Sequence, residues 1–132
     1  MAVVRFKVDK LIRDNIPQRL ISKKIKSHER IMGQPEYIKA LTTKLVEEAH
    51  ECIEAQNLNE LIEELGDVLE VINALAQAHN IDMKCIEEKR LQKQITHGSF
   101  NKRIYCDYID IEETNPYFND YALRPHKYPK ID

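Results

Sequence analysis

Two pairs of acidic residues have the spacing and the chemistry of a metal-binding site: Glu48 with Glu51, and Glu64 with Asp67. The i, i+3 spacing within each pair places its two acids on the same side of an α-helix. Residues 45–70 contain nine acidic side chains and no Lys or Arg, so they would repel one another unless a cation lies among them. Hard divalent cations prefer carboxylate oxygens. We therefore predict a Mg²⁺ site, with Mn²⁺ as the alternative ion, and chemistry on phosphates.

The composition indicates a single helical domain rather than a β-sheet protein or a nucleic-acid binder. The chain has 132 residues and only three glycines, whereas an all-β fold needs many tight turns. Its net charge of −2 is too balanced for binding a nucleic-acid polymer. No stretch approaches the roughly 18 apolar residues of a membrane span. The three widely spaced cysteines are expected to be free thiols, mostly buried, in a cytoplasmic protein.

Hydrophobic periodicity predicts four helices followed by an irregular C-terminal tail. Asp14 or Asn15 caps the first predicted helix, and Pro17 lies in its first turn. The second runs from Pro35 to about Ala55, and the third runs from about Leu58 to His79, where Asn80 ends it. The fourth begins after an Asp82 cap and runs to about Ile95. Residues 103–111 are rich in β-forming side chains and are candidates for a short strand. We expect a helical domain over residues 1–110 and an irregular extension over residues 111–132.

The second and third helices must carry the acids, and only a short break separates them. They are expected to pack as an antiparallel hairpin. A projection of about 100° per residue places the four acids beside the apolar stripes, and it directs Glu47, Glu54 and Glu63 largely to solvent. The four carboxylates can then face one another and hold one or more Mg²⁺ ions. Because a hairpin with two supporting helices has a thin core, we expect oligomerisation to complete the bundle.

Three segments around these acids have recognisable contexts. They read Lys10-Leu-Ile-Arg13-Asp14-Asn15-Ile16-Pro17, then Lys44-Leu-Val-Glu47-Glu48-Ala-His-Glu51 followed by Glu63-Glu64-Leu-Gly-Asp67, and finally Lys93-x-x-x-His97-Gly98-Ser99-Phe100. In this order they resemble the MazG-type all-α nucleoside triphosphate pyrophosphohydrolases, in particular the phosphoribosyl-ATP pyrophosphohydrolase-like branch. The resemblance covers about residues 7–104. It departs from the usual pattern at His97, where Arg is usual, and at Ser99, where Gly is usual.

The resemblance implies Mg²⁺-dependent hydrolysis of a nucleoside triphosphate between the α- and β-phosphates, which gives a nucleoside monophosphate and pyrophosphate. The unusual N- and C-terminal segments favour a general role in house-cleaning of the nucleotide pool. The resemblance makes Glu48, Glu51, Glu64 and Asp67 the metal ligands and catalytic residues, with one of them able to act as the base for water. The phosphate-binding candidates are Lys44, Arg13, Lys93 and His97. Relatives form homodimers or homotetramers.

Other interpretations of the same residues stay open. A narrower enzymatic one is a phosphoribosyl-ATP pyrophosphohydrolase of histidine biosynthesis, and one of another class is a non-catalytic helical interaction module. A di-iron bundle needs two Glu-x-x-His motifs, whereas only Glu47-x-x-His50 exists. Lys44 can instead form a helical ion pair with Glu48, and Arg13 one with Asp14.

Overall fold

The protein is all-α in the computed structural model, which describes residues 2–132 and contains no strand within that range. Its helices are α1 (Ile16–Ser22), α2 (Gln34–Glu54), α3 (Leu58–Ala78), α4 (Met83–His97) and α5 (Phe118–Ala122). The predicted fold class is therefore confirmed. The strand suggested for residues 103–111 is wrong, because β-forming side chains without a paired neighbour gain no ladder hydrogen bonds.

The chain divides into two compact units between Ile95 and Thr96. The first contains α1, α2, α3 and most of α4, and the second contains the end of α4 and the C-terminal tail. Within the second unit, the rings of Tyr121 and Tyr128 pack edge to face with centroids 4.8 Å apart. The predicted irregular tail therefore contains one short helix, α5, close to this aromatic pair.

Local capping fixes the start of α3. The Asn57 side chain accepts a hydrogen bond of 2.9 Å from the Glu60 amide, and the Glu60 carboxylate accepts one of 2.8 Å from the Gln56 amide. This reciprocal arrangement resembles a capping box and satisfies amides that the helix leaves free. It sets the point at which the chain turns back from α2 into α3.

The end of α3 is the left-handed cap predicted at Asn80, which has φ 56°. The Ile81 amide donates to the Ala76 carbonyl at 2.8 Å, the bond that defines a Schellman motif. An asparagine tolerates this backbone better than most residues do. The same amide chemistry, an Asp82 carboxylate accepting from the Lys84 amide at 2.9 Å, confirms Asp82 as the cap of α4.

Helices α2 and α3 pack against each other as the predicted antiparallel hairpin. Gln34 at the start of α2 donates to the Ala78 carbonyl at the end of α3, at 3.0 Å. The buried apolar residues of the described chain are Leu41, Val71 and Ala76. This core is thin for a chain of this length, because a domain of this size normally buries most of its apolar side chains.

The cysteines are more exposed in the structure than the sequence suggests. Cys85 and Cys106 are exposed and only Cys52 is half-buried, so the expected burial of the cysteines is wrong, although all three are free thiols.

No helix of the described range has the length and apolar character needed to cross a membrane.

Candidate active site

Three carboxylates meet on the facing sides of the hairpin. One oxygen each from Glu48 of α2 and from Glu64 and Asp67 of α3 lies within 4.8 Å of the other two. Glu48 is buried, with 8% of its surface exposed, and the other two are half-buried. A donor set made only of carboxylate oxygens suits a hard divalent cation such as Mg²⁺ or Mn²⁺. The residues present therefore fit such an ion.

The electrostatics of the three carboxylates also favour a bound cation. The pKa of Glu64 is raised above its ordinary value, first by partial burial and then by the negative charges of Asp67, Glu48 and Glu51. A hydrogen bond with Glu48 raises this pKa further. A carboxylate with such neighbours holds its proton more tightly because ionisation would add another negative charge to the cluster. A bound cation would compensate that charge.

Glu51 lies beside this group rather than within it. It is half-buried and lines, with Glu64 and Glu60, a small acidic cleft of about 210 Å³. Its charge contributes to the raised pKa of Glu64, so it lies near enough to act on the group electrostatically. The structure thus brings three of the four predicted ligands together and leaves Glu51 at their edge.

The N-terminal segment crosses the hairpin and pairs with both helices. Arg13 Nη2 lies 2.7 Å from Asp67 Oδ1 on α3, and Lys10 Nζ lies 3.4 Å from Glu47 Oε1 on α2. The alternative pair of Arg13 with Asp14 is therefore replaced by a pair with a candidate metal ligand. The prediction that Glu47 faces solvent is wrong, since its side chain is only 24% exposed. A projection of one helix cannot include a segment that covers it from elsewhere in the chain.

Lys44 holds the acids of α2 from within the same helix. Its Nζ lies 3.2 Å from Glu47 Oε1 and 3.5 Å from Glu48 Oε1, so the helical ion pair considered from sequence is present. Its side chain is 18% exposed.

The charges around the group do not balance. The five carboxylates are Glu47, Glu48, Glu51, Glu64 and Asp67, and the three cations paired with them are Lys10, Arg13 and Lys44. When all are ionised, this leaves an excess of two negative charges, which one divalent cation would neutralise. Lys10 and Glu47 were not among the predicted site residues, although both belong to the recognised segments.

A larger cleft adjoins these carboxylates. It has a volume of about 530 Å³ and lies between residues 11–19, α2 and α3. Leu41 and Val71 belong to its apolar lining, and Arg13 and Lys44 line it as well. Because those two cations also contact the carboxylates, the cleft and the candidate metal site share these two side chains. We call this space the N-terminal cleft.

Two predicted phosphate-binding residues lie away from these clefts or in the other unit. Lys93 is exposed on α4 and lines neither cleft. His97 is the last residue of α4 and falls in the second compact unit, where its Nδ1 lies 2.7 Å from Thr96 Oγ1. Their roles at phosphate stay predictions.

Comparison with protein-family models matches residues 16–94 to the phosphoribosyl-ATP pyrophosphohydrolase family. This range is more than half of the chain and contains the whole hairpin with its four acids. The chain belongs to this family, and it is a hydrolase that acts on phosphoric anhydride bonds. The non-catalytic alternative is thereby set aside. Comparisons with curated proteins and with solved structures each found no match.

Proposed function

We propose that this protein is a Mg²⁺-dependent nucleoside triphosphate pyrophosphohydrolase that cleaves between the α- and β-phosphates and clears unwanted nucleotides from the cytoplasmic pool. The observation that carries the proposal is the meeting of Glu48, Glu64 and Asp67 across the hairpin in a chain of this hydrolase family. Free cysteines are typical of the reducing cytoplasm.

The proposed metal ligands are Glu48, Glu64 and Asp67. A divalent ion held by them would supply positive charge to the phosphate oxygens and would make water a better nucleophile. The protein then needs no covalent nucleophile, because phosphoryl transfer depends chiefly on positioning and charge compensation. Mg²⁺ is the proposed ion, and Mn²⁺ shares its preference for oxygen.

Glu51 is the carboxylate we assign to accept the proton of the attacking water. It lies outside the group of three oxygens yet lines the acidic cleft beside Glu64. A base must reach the water without being occupied by other strong contacts, and Glu51 meets that condition better than the buried Glu48. Its predicted role as a fourth metal ligand stays a prediction.

Arg13 and Lys44 are the proposed phosphate contacts. Both lie between the carboxylates and the N-terminal cleft, and both carry several N–H donors suited to phosphate oxygens. A cation that contacts a carboxylate and also lines a cleft can exchange that carboxylate for a phosphate group in the cleft. This supports a triphosphate chain that lies over the group of three acids.

A second candidate substrate is phosphoribosyl-ATP, as in histidine biosynthesis, and the description of the matching family favours it. That substrate carries a further phosphate at its far end. Away from Arg13 and Lys44, the charged residues that line the N-terminal cleft are Asp14, Arg19 and Glu70. Since these sum to a negative charge, the cleft supports a simple nucleotide better than one with a second phosphate group.

We also propose that the protein works as a homodimer or homotetramer. An apolar stripe of α3 is exposed in the single chain: Leu58, Ile62, Leu65 and Leu69 are each between 49% and 77% exposed. Their i, i+4, i+7 and i+11 spacing defines one helix face. An exposed stripe of this length, together with the thin core, supports its burial against a second copy.

Product analysis tests the proposed reaction. Nucleoside triphosphates and phosphoribosyl-ATP are incubated with the purified protein and Mg²⁺, and products are separated by ³¹P NMR. We expect monophosphate and pyrophosphate, with activity lost on chelation and reduced at least about a hundredfold in Asp67→Asn. Glu63→Gln, an exposed acid on the same helix, is the matched control and should act like the wild type. Release of orthophosphate, or full activity of Asp67→Asn, would contradict the proposal.

A further inference from the structure

The N-terminal cleft and the acids share the same two helix faces. Along α2, Tyr37, Leu41 and Lys44 line the cleft, and the next turn carries Glu48. Their i, i+4, i+7 and i+11 spacing puts all four on one side of the helix. The cleft therefore lies next to the carboxylates, on the side toward the open end of the hairpin.

Helix α3 shows the same order of side chains. Asp67 belongs to the carboxylate group, and Val71 and Ala74 line the cleft one and two turns later. About two helical turns, roughly 10 Å, separate Lys44 from Tyr37 along α2. A substrate with its phosphates at the acids must place its remaining part toward one end of this hairpin. The N-terminal cleft offers space for that part, because it lies next to Arg13 and Lys44.

The size and the lining of the cleft suit a small planar group. Its volume of about 530 Å³ lies within the approximate range of 300–1,000 Å³ for small-molecule sites. Leu41 and Val71 form a buried apolar floor, with 2% and 8% of their surfaces exposed. The half-buried Tyr37 supplies an aromatic ring, the side-chain type that stacks on nucleobases.

The polar side chains of the lining come mostly from the N-terminal segment, and Lys44 of α2 and Glu70 of α3 each add one charge. Asp14 and Asn15 line the cleft and bring a carboxylate and an amide, which can accept or donate hydrogen bonds to a sugar or a base edge. A cleft that combines an apolar floor with polar side chains can hold both the rings and the polar edges of a small molecule.

We infer that the N-terminal cleft binds the uncharged nucleoside of the substrate, with Tyr37 stacking on the base and Ala74 limiting the size of what fits. This inference rests on the proposed function, because it places the phosphates at the carboxylates. It names the substrate class as a nucleotide with a single nucleoside and no second phosphate-bearing group. Residues of the N-terminal segment then complete a site whose catalytic part lies on the hairpin.

NMR of the ¹⁵N-labelled wild-type protein tests the location without any substitution. Nucleoside 5′-monophosphates of the common bases are titrated in one series, and inorganic pyrophosphate in another. The monophosphates should shift the amide signals of Tyr37, Val71 and Ala74, and pyrophosphate should leave these three signals in place. Equal effects of the two ligands on these amides would overturn the inference.

Two substitutions test the role of the cleft. Ala74→Leu should fill it and weaken binding of the monophosphate at least about tenfold, a change of roughly 1.4 kcal/mol, while the affinity for pyrophosphate stays within about twofold. Gln77→Leu, at an exposed site one turn later on α3 that lines neither cleft, is the matched control and should bind like the wild type. Tyr37→Leu should also weaken monophosphate binding, and it keeps the test valid if Ala74→Leu does not fold.

The outcomes separate this inference from the proposed function. If the wild type releases no pyrophosphate from any nucleotide with Mg²⁺, the proposed function fails. If it does release pyrophosphate, and Ala74→Leu and Tyr37→Leu bind the monophosphate as the wild type does, then the assignment of the cleft is wrong while the reaction stands.

Discussion

At the scale of single residues, the ionised Glu64 carboxylate destabilises the metal-free protein, because partial burial and three neighbouring carboxylates raise its pKa. The folded state then binds a proton more tightly than the unfolded state does. Its unfolding free energy therefore falls as pH rises through the interval between the ordinary and the raised pKa, and it stays lowered above that interval.

The substitution Glu64→Gln removes this cost. Without metal, we expect the variant to have a higher Tm than the wild type at pH 8, and the difference should disappear below the ordinary pKa of a glutamate. With Mg²⁺, the wild type should gain stability and the variant should not. Thermal unfolding across pH, with chelator or with Mg²⁺, measures both effects. A variant that is less stable than the wild type at every pH without metal would contradict this account.

The acids themselves could be predicted from sequence because i, i+3 spacing is a local property of a helix. Their cationic neighbours could not. Arg13 and Asp67 are 54 positions apart in the chain, and no helical projection relates them. The half-buried state of Glu47 has the same origin, since it depends on Lys10 from the N-terminal segment.

At the scale of elements, the helices were predictable because their ends carry chemical signals as well as apolar periodicity. Pro35 lies in the first turn of α2, and Asn80 ends α3 with the left-handed backbone expected of it. The segment 103–111 was not predictable, since β-forming side chains indicate a strand only when a partner is available. Periodicity indicates that α3 has an apolar side, but which apolar side chains of α3 the single chain leaves exposed depends on packing.

The cap of α3 gives a direct test at this scale. Asn57→Ala removes the oxygen that accepts from the Glu60 amide and should lower the unfolding free energy by about 1 kcal/mol. Asn59→Ala, two residues later at an exposed position inside the helix, is the matched control and should change it little, since alanine favours helix. Urea unfolding followed by circular dichroism measures the two values. Equal effects of both substitutions would show that the cap contributes nothing specific.

At the scale of the whole molecule, the exposed stripe of α3 and the thin core favour assembly. We expect the wild type to have a mass of two or four times 15.5 kDa in light scattering after gel filtration. Leu69, which is 62% exposed in the single chain, would be buried in such an assembly. Leu69→Glu should therefore give monomers, because a carboxylate in an apolar interface is costly.

Gln77→Glu is the control for that substitution, since it adds the same charge at an exposed position outside the stripe. It should keep the mass of the wild type. A monomeric wild type, or an unchanged mass for Leu69→Glu, would show that the stripe does not form the interface.

Direct titration of Mn²⁺ tests whether Glu48, Glu64 and Asp67 hold a divalent cation. Free Mn²⁺ is measured by electron paramagnetic resonance as the ion is added to the wild type, to Glu48→Gln and to the control Glu63→Gln, whose exposed side chain lines neither cleft. We predict that the wild type and Glu63→Gln bind Mn²⁺ alike, that Mg²⁺ displaces it, and that Glu48→Gln weakens binding at least about tenfold. Equal binding of Mn²⁺ by Glu48→Gln and the wild type would contradict the account.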